Sequence, residues 1–356
     1  MARINTEGMT LDNGALRELS GLLFERLLES PSLQELFTVL YGQRNGEEVV
    51  LVGNFGLSLK AAQGCNPNYN DTLLPTTAQK WQIALWGIYE QVCFAEIAQI
   101  LEQLQIRGDK FGDLSDNPYL TEVIIPRMEA AIKNEVMRIV WLGDTEANTS
   151  DNGGVIAKEE YLPYFTLVDG FWKRALEAVA NDTNRRTAIE ANTAGASISE
   201  QKSAILQPGV ATGILDRLIM DAPMEIRADG VIYMTQMLAD AVGYDLQKNN
   251  KGSELQWRSL FDGVRETTYQ GVRVIAMPYL DQMIAKYEMN AGGRMLNEPF
   301  RAIFTPKSNM LVGTTSTTEM VDVRVFYDEK DEVTYMKAKD YIGTMILDPN
   351  MIQVAF

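Results

Sequence analysis

The stretch Tyr119–Asp144, YLTEVIIPRMEAAIKNEVMRIVWLGD, decides how the rest of the chain is read. Ile124, Ile125, Met128, Ile132, Val136 and Ile139 recur at spacings of three and four, which puts them on one stripe of an α-helix. Arg127, Asn134 and Arg138 fall on another side, and Glu135 intrudes on the apolar arc. Asn117 followed by Pro118 is a start signal, because the Asn oxygen can accept from a free first-turn amide and proline has none to satisfy. Gly143 supplies the stop. The pattern predicts a helix over 119–142, about 36 Å long at 1.5 Å per residue, enough to lie across a domain as a spine. Pro126 cannot donate to the carbonyl four residues back, so a bend is expected in the first turns.

Around this helix the composition is that of a globular chain: 356 residues, 46% hydrophobic and 22% charged, enough for two or three cores. No apolar run approaches the ~20 residues of a membrane span, and MARINTEGMT lacks the basic start and apolar centre of a signal peptide, so the chain is expected to stay in the cytoplasm. Cys65 and Cys93 have no CxxC partner and suit two reduced thiols. The excess of 48 Asp and Glu over 32 Lys and Arg gives a net charge of −16, which disfavours tight binding to nucleic acid or anionic lipid. The chain has no histidine. That excludes Ser-His-Asp, Cys-His, HExxH and His-cage chemistry.

Ahead of the spine, residues 12–30 read as an amphipathic helix with Leu16, Leu19, Leu23 and Leu27 in one stripe, to be buried on its own domain or on a neighbouring subunit. Ser32 with Glu35 marks a capping box for a short second helix, SLQELFTVL. From Glu47 the period changes. EEVVLVGNFGLSLKAA and KWQIALWGIYEQVCFA read as two long strands of a hairpin joined by the polar QGCNPNYNDTLLPTT. Its apolar residues Phe55, Leu57 and Trp86 need a cover, from the chain's own domain or from a partner chain. Ala95 to Ile106 resumes helical spacing, and the acidic turn with Asp109, Asp113 and Asp116 lacks the spacing of a calcium loop.

After the spine, GDTEANTSDNGG is a polar linker. The second half of PYFTLVDGFWKRALEAVAN and VATGILDRLIMDAP read as helices, GVIYMT as a buried strand, QMLADAVGYDLQ as a helix capped by Thr235, and GVRVIAMP as the next strand. This is the order of a small α/β domain. It carries no GxGxxG or GKS/T loop. RAIF, NMLVGT, VDVRVFY, EVTYMKA and MIQVAF then return to strands, with a hairpin turning at Asp328 to Asp331. These last strands are expected to complete the sheet on which the spine packs, leaving residues 155–299 as an insertion.

Ser199-x-x-Lys202 matches a two-letter acyltransferase pattern expected about once by chance in a chain of this size. No catalytic constellation, cofactor loop or metal set stands out, and the methionines are spread through apolar positions as core filling.

The order of a leucine-bearing arm, a long hairpin, a spine helix ending in LGD, an inserted α/β domain and closing strands resembles the major capsid protein of tailed bacteriophages, of the Hong Kong 97 type. The local matches are IIPRMEAAIKNEVMRIVWLGD for the spine, ADGVIYMTQMLADAVGYDLQ and GVRVIAMPYL in the inserted domain, and VRVFYDEKDEVTYMKAKDYIGTMIL for the closing hairpin. The resemblance implies an α+β fold divided into an N-arm (1–46), an E-loop hairpin with its flanking strands (47–94) and a P-domain with the spine helix (95–154). An inserted α/β A-domain (155–299) and closing P-domain strands (300–356) follow.

It also implies a structural protein, not an enzyme, that self-assembles into the hexamers and pentamers of an icosahedral shell within the host cytoplasm and ends in the virion. Portal and scaffolding proteins would be its partners. The shell would enclose double-stranded DNA without tight specific binding, and no cofactor, metal or membrane would be involved. Leu16, Leu19, Leu23, Leu27, Phe55, Leu57 and Trp86 would then meet neighbouring subunits, and Pro126 would mark the bend of the spine. The arm is too short for the large scaffolding segment of some relatives, and nothing marks Lys60 or Lys80 as crosslinking. An encapsulin-like compartment of the same fold, or an unrelated cytosolic enzyme that needs no histidine, are the other readings.

Overall fold

The computed structural model describes residues 35–52, 76–93, 125–149, 156–249, 255–261, 263–289, 294–315, 324–328 and 333–356. In chain order these form β1 (Thr38–Leu40), β2 (Glu48–Val52), β3 (Thr76–Lys80), β4 (Ile83–Cys93) and the long helix α1 (Ile125–Leu142). Then come α2 (Phe171–Asn181), β5 (Arg186–Thr187), α3 (Ile198–Ile205), α4 (Val210–Asp221), the single turn α5 (Ile226–Asp229), β6 (Gly230–Thr235) and α6 (Gln236–Asn249). The chain continues through β7 (Arg258–Phe261), β8 (Val264–Tyr269), β9 (Val272–Met277), α7 (Pro278–Tyr287) and β10 (Ala302–Pro306). It ends with β11 (Met310–Gly313), β12 (Arg324–Asp328), β13 (Val333–Ile346) and β14 (Gln353–Ala355).

The spine helix stops where its sequence says it should. Gly143 donates back to the Ile139 carbonyl at 2.9 Å, and a Cβ there would lie 2.2 Å from the Val168 carbonyl oxygen, so only glycine fits. Ile132, Val136 and Ile139 are buried as the stripe requires. Arg138, placed by the helical period on a polar side, is buried too. The segment Glu159–Tyr164 folds over that side: Arg138 Nη1 donates to the Tyr164 carbonyl at 2.7 Å, its guanidinium stacks 4.8 Å from the Phe165 ring centre, and Glu135 pairs with it. The intruding Glu135 is thus the counter-ion of a buried arginine. Residues 119–124 of the expected helix lie outside the described residues.

Two sheets meet at α1. In the first, β13 is the axis: β4 pairs antiparallel with Val333–Gly343, while β11 and β12 occupy opposite ends of its other side and β1 adds in parallel to β11. The second has seven strands in the order β5-β14-β10-β6-β9-β8-β7, with β6 and β9 parallel. It is covered on both faces, which is why GVIYMT reads as an unbroken apolar run. Val231 and Tyr233 face the core that holds Trp141 and Phe171, whereas Ile232 and Met234 face the core under α4 and α6. Gln270 and Gly271, at φ 49° and 83°, make the tight β8–β9 hairpin turn, a conformation that suits glycine at the second position.

Three expectations need correcting. KWQIALWGIYEQVCFA is not one hairpin strand. The hairpin partner of β2 is β3, which starts at Thr76 in the last two residues of the stretch read as a polar connection and ends at Lys80, and after Trp81 and Gln82 the chain joins the other sheet as β4. The reason is Trp81: 1% exposed, it is buried with Ile83, Leu311 and Met345, which forces the chain to change sheets there. SLQELFTVL does not end as a helix, because Phe37 enters an aromatic cluster with Trp141 and Phe171 while Thr38–Leu40 pair with Leu311–Gly313. Burial of each such aromatic contributes roughly 1.5–3 kcal/mol, which outweighs a short helix's own propensity. Finally, the closing strands do not share one sheet: RAIF and MIQVAF join the seven-stranded sheet beside β6, whereas NMLVGT, VDVRVFY and EVTYMKA join the sheet built on β13. Short apolar runs carry no mark of which sheet they join.

Candidate interaction surfaces

The hairpin β2–β3 stands on a rigid base. Gly46 N donates to the Trp81 carbonyl at 2.8 Å, Trp81 N to the Glu47 carbonyl at 2.9 Å, and Ile83 N to Asn45 Oδ1 at 3.2 Å. Gly313 makes room for the indole, since a Cβ on it would lie 2.6 Å from the Trp81 ring. Above this base, strand alternation turns Val49 toward the Trp81 cluster and leaves Val50 and Val52 53% and 57% exposed. Lys80 pairs with Glu48 at 3.1 Å.

A second uncovered face lies on the outside of the β4–β13 ladder. Leu85 and Tyr341, directly opposite each other, are 50% and 44% exposed, and Tyr89 is 61% exposed. Its ring folds over Gly87, where a Cβ would lie 2.9 Å from the ring, and the Lys339 ammonium sits 5.8 Å from the ring centre. Glycine and ring together make a flat aromatic surface edged by lysine. A third apolar spot is the turn after α4, where Met220 and Met224 are 72% and 74% exposed and Arg227 Nη2 braces the turn on the Met220 carbonyl at 2.6 Å.

The root of the arm is tied down. Tyr233 Oη donates to the Leu36 carbonyl at 2.8 Å, and Arg273 is shared between Glu35 at 2.5 Å and Glu266 at 2.8 Å. Burial keeps the Tyr233 hydroxyl protonated far above neutral pH.

Carboxylates around the seven-stranded sheet tie helix to helix. Asp281 on α7 accepts from Gln236 N and Met237 N at 2.6 and 3.0 Å and so caps α6, the role expected of Thr235, whose hydroxyl instead accepts from Arg301 N at 3.3 Å. Burial lifts the Asp281 carboxyl to about 6 against the pull of those amides. Asp245 on α6 in turn accepts from Gly209 N and Thr212 N, capping α4. Glu288 and Arg301 form a buried pair, the arginine stacked 4.8 Å from the Trp172 ring centre. Nothing in the local sequence distinguishes these acids from surface charge, because each acts on an element remote in sequence.

Ser199 and Lys202 are both exposed on α3, next to Ser197, whose hydroxyl caps that helix through Glu200 N at 3.4 Å. Among the described residues no three or more acidic or cysteine side chains gather as a metal site, and no helix is long and apolar enough to cross a membrane. The cavity beside Trp141, Trp172, Tyr233 and Arg301 measures about 10 Å³, room for roughly one water.

No protein-family model and no curated protein sequence matches the chain. Solved structures do. A chain of the satellite phage P4 procapsid including size determination (Sid) protein superposes with a TM-score of 0.53 at 10% identity, over 94% of this chain and 97% of that one. A chain from Gordonia phage Cozz gives 0.50 at 13% identity, over 90% and 84%. The fold is that of a phage capsid protein. A chain of the holo-SrpI encapsulin complex from Synechococcus elongatus PCC 7942 overlaps at 0.48 and 11% identity, over 93% and 88%.

Of the residues expected at subunit contacts in a capsid shell, Leu16, Leu19, Leu23, Leu27, Phe55 and Leu57 lie outside the described residues. So do the 12–30 and 95–106 helices, the acidic turn before the spine and the hairpin turn after Asp328. Trp86 is corrected: it is 6% exposed and belongs to the subunit's own core, because β4 turns it inward against α1 while Leu85 and Tyr89 face out. Alternation along β4 could have assigned those two neighbours. Pro126 lies in α1, at the second of its described residues.

Proposed function

We propose that this chain is the major capsid subunit of a tailed phage, self-assembling as hexamers and pentamers into an icosahedral head that encloses double-stranded DNA. The observation that carries the reading is the capsid fold spanning nearly the whole of both chains in the P4 procapsid comparison. Two features of the subunit agree with it. The Val50/Val52 stripe and the Leu85/Tyr89/Tyr341 face are apolar surfaces the subunit leaves open, and a shell gives such faces a neighbour. The net charge of −16 suits a lining that does not hold a packed genome fast.

In this reading residues 1–46 are the N-arm, the hairpin from residue 47 is the E-loop, and α1 is the spine of a P-domain that carries the inserted A-domain. The leucines of the arm, with Phe55 and Leu57, meet neighbouring subunits. Portal and scaffolding proteins are separate partners, and assembly takes place in the host cytoplasm. Pro126 is where the spine bends as the shell expands. Pro126→Ala would then change the particle diameter gained on expansion, and an identical gain would remove that role.

Sedimentation velocity of the expressed full-length chain tests the function. Particles far heavier than a small oligomer are expected. A monomer or dimer under every assembly condition would count against a shell, and particles holding protein cargo instead of DNA would redirect the reading to an encapsulin-like compartment.

A further inference from the structure

Asp340 on β13 is 2% exposed, and neither of its carboxylate oxygens has a hydrogen-bond partner. Directly across the antiparallel ladder is Trp86 on β4, whose Nε1–H is buried with no acceptor. Side chains at such opposed positions have Cβ atoms about 4.5–5.5 Å apart, so a donor and an acceptor that both lack partners stand on facing positions of the ladder. A buried polar group without a partner is uncommon and calls for a reason. Two of them on facing positions call for one reason between them.

Charges on the surrounding elements are engaged elsewhere. On α2, Arg174 donates to Gln82 Oε1 at 3.1 Å and to Thr344 Oγ1 at 3.3 Å, with Glu177 as its charged neighbour. On α1, Arg138 is held by Glu135 and the Tyr164 carbonyl. On β4, Glu90 is exposed, and on β13, Lys337 and Lys339 alternate onto the opposite face from Asp340. Among the described residues no cation lies beside it, and burial lifts the Asp340 carboxyl to about 8, the adjacent Tyr341 amide, which is near the carboxylate without meeting hydrogen-bond geometry, pulling only weakly the other way.

We propose that Asp340 and Trp86 form a proton-operated switch in the β4–β13 ladder. Protonated, the carboxyl rests dry between the strands and the indole packs in the core with α1. When it ionises, its proton goes to solvent and the Trp86 Nε1–H turns to donate to the new carboxylate, which changes how the ladder packs. Because Leu85 and Tyr341 are the outward-facing neighbours of this pair, the open face of the ladder shifts with it.

The absence of histidine makes the test clean: at mildly alkaline pH the other groups that ordinarily titrate are Cys65, Cys93 and the amino terminus, which every variant below retains. The tryptophan emission of the full-length chain is followed from about pH 6 to about pH 9.5. The wild type is expected to show a step with its midpoint near 8. In Asp340→Asn the step should be absent, and in Trp86→Phe it should be lost or greatly reduced. A flat wild-type curve, the same step in Asp340→Asn, or an undiminished step in Trp86→Phe would each overturn the proposal. If Asp340→Asn does not fold, the wild type and Trp86→Phe still decide.

Discussion

The hydroxyl of Tyr233 donates to the carbonyl oxygen of Leu36 across 2.8 Å, joining the middle of the seven-stranded sheet to the segment that leads into β1. Trp141 of the spine lies 5.8 Å from the same tyrosine ring and 5.4 Å from Phe37, so the segment before β1, the spine and the seven-stranded sheet meet in one aromatic cluster.

Tyr233→Phe keeps the ring and removes the bond. A loss of about 1 kcal/mol is expected, since the buried Leu36 carbonyl is left without its donor. Denaturant unfolding measures the loss, and amide exchange at residues 36–40 should quicken. Unchanged stability with unchanged exchange would show that the bond does not hold the arm root.

Gly313→Ala drives a methyl group into the Trp81 ring, where the nearest atom would be 2.6 Å away. Overpacking of this kind costs roughly 1–3 kcal/mol. Because Trp81 sits at the base of the hairpin, the variant should also expose residues 47–80 to protease. A wild-type cleavage pattern would mean that the base tolerates the shift.

Asp281 supplies a pH test. Burial raises its carboxyl from 3.8 to about 6. A carboxyl raised on folding contributes stability that is complete below its unfolded value and is lost as pH climbs through its folded one. The wild type should lose up to roughly 3 kcal/mol from this group between about pH 4 and about pH 6. Asp281→Asn keeps one acceptor for the α6 amides and should flatten that part of the curve. Parallel wild-type and variant curves would contradict this assignment.

How much of this was legible beforehand depended on where each residue finds its partner. The end of the spine at Gly143 and the strands β6 and β9 were readable because their signals are local: a stop residue, an apolar run, a period. Arg138 was misplaced because the segment covering it begins 21 positions away, at Glu159. Thr235 was given a cap that Asp281 performs from another helix, and β4 was joined to the hairpin because only Trp81's burial shows that the chain changes sheets. At the candidate surfaces, alternation along β4 places Leu85 and Tyr89 on the outer face and Trp86 on the inner one, but which face is covered depends on the spine packed behind it.

Removing residues 1–29 should leave the subunit folded and impair assembly. The truncation spares Glu35–Leu40, whose bonds to Arg273, Tyr233 and β11 anchor the arm root. Circular dichroism should show nearly unchanged helix content per residue, while light scattering shows assembly reduced. An unfolded or insoluble truncation would place the leucine stripe in the subunit's own core.

The central claim, that this chain builds a shell, is tested most directly by electron cryomicroscopy of the assembled full-length protein. Closed icosahedral particles are expected, whose reconstruction shows pentamers and hexamers of this fold with Val50, Val52, Leu85 and Tyr341 covered by neighbouring subunits. Discrete small oligomers that leave those four side chains in solvent would contradict it.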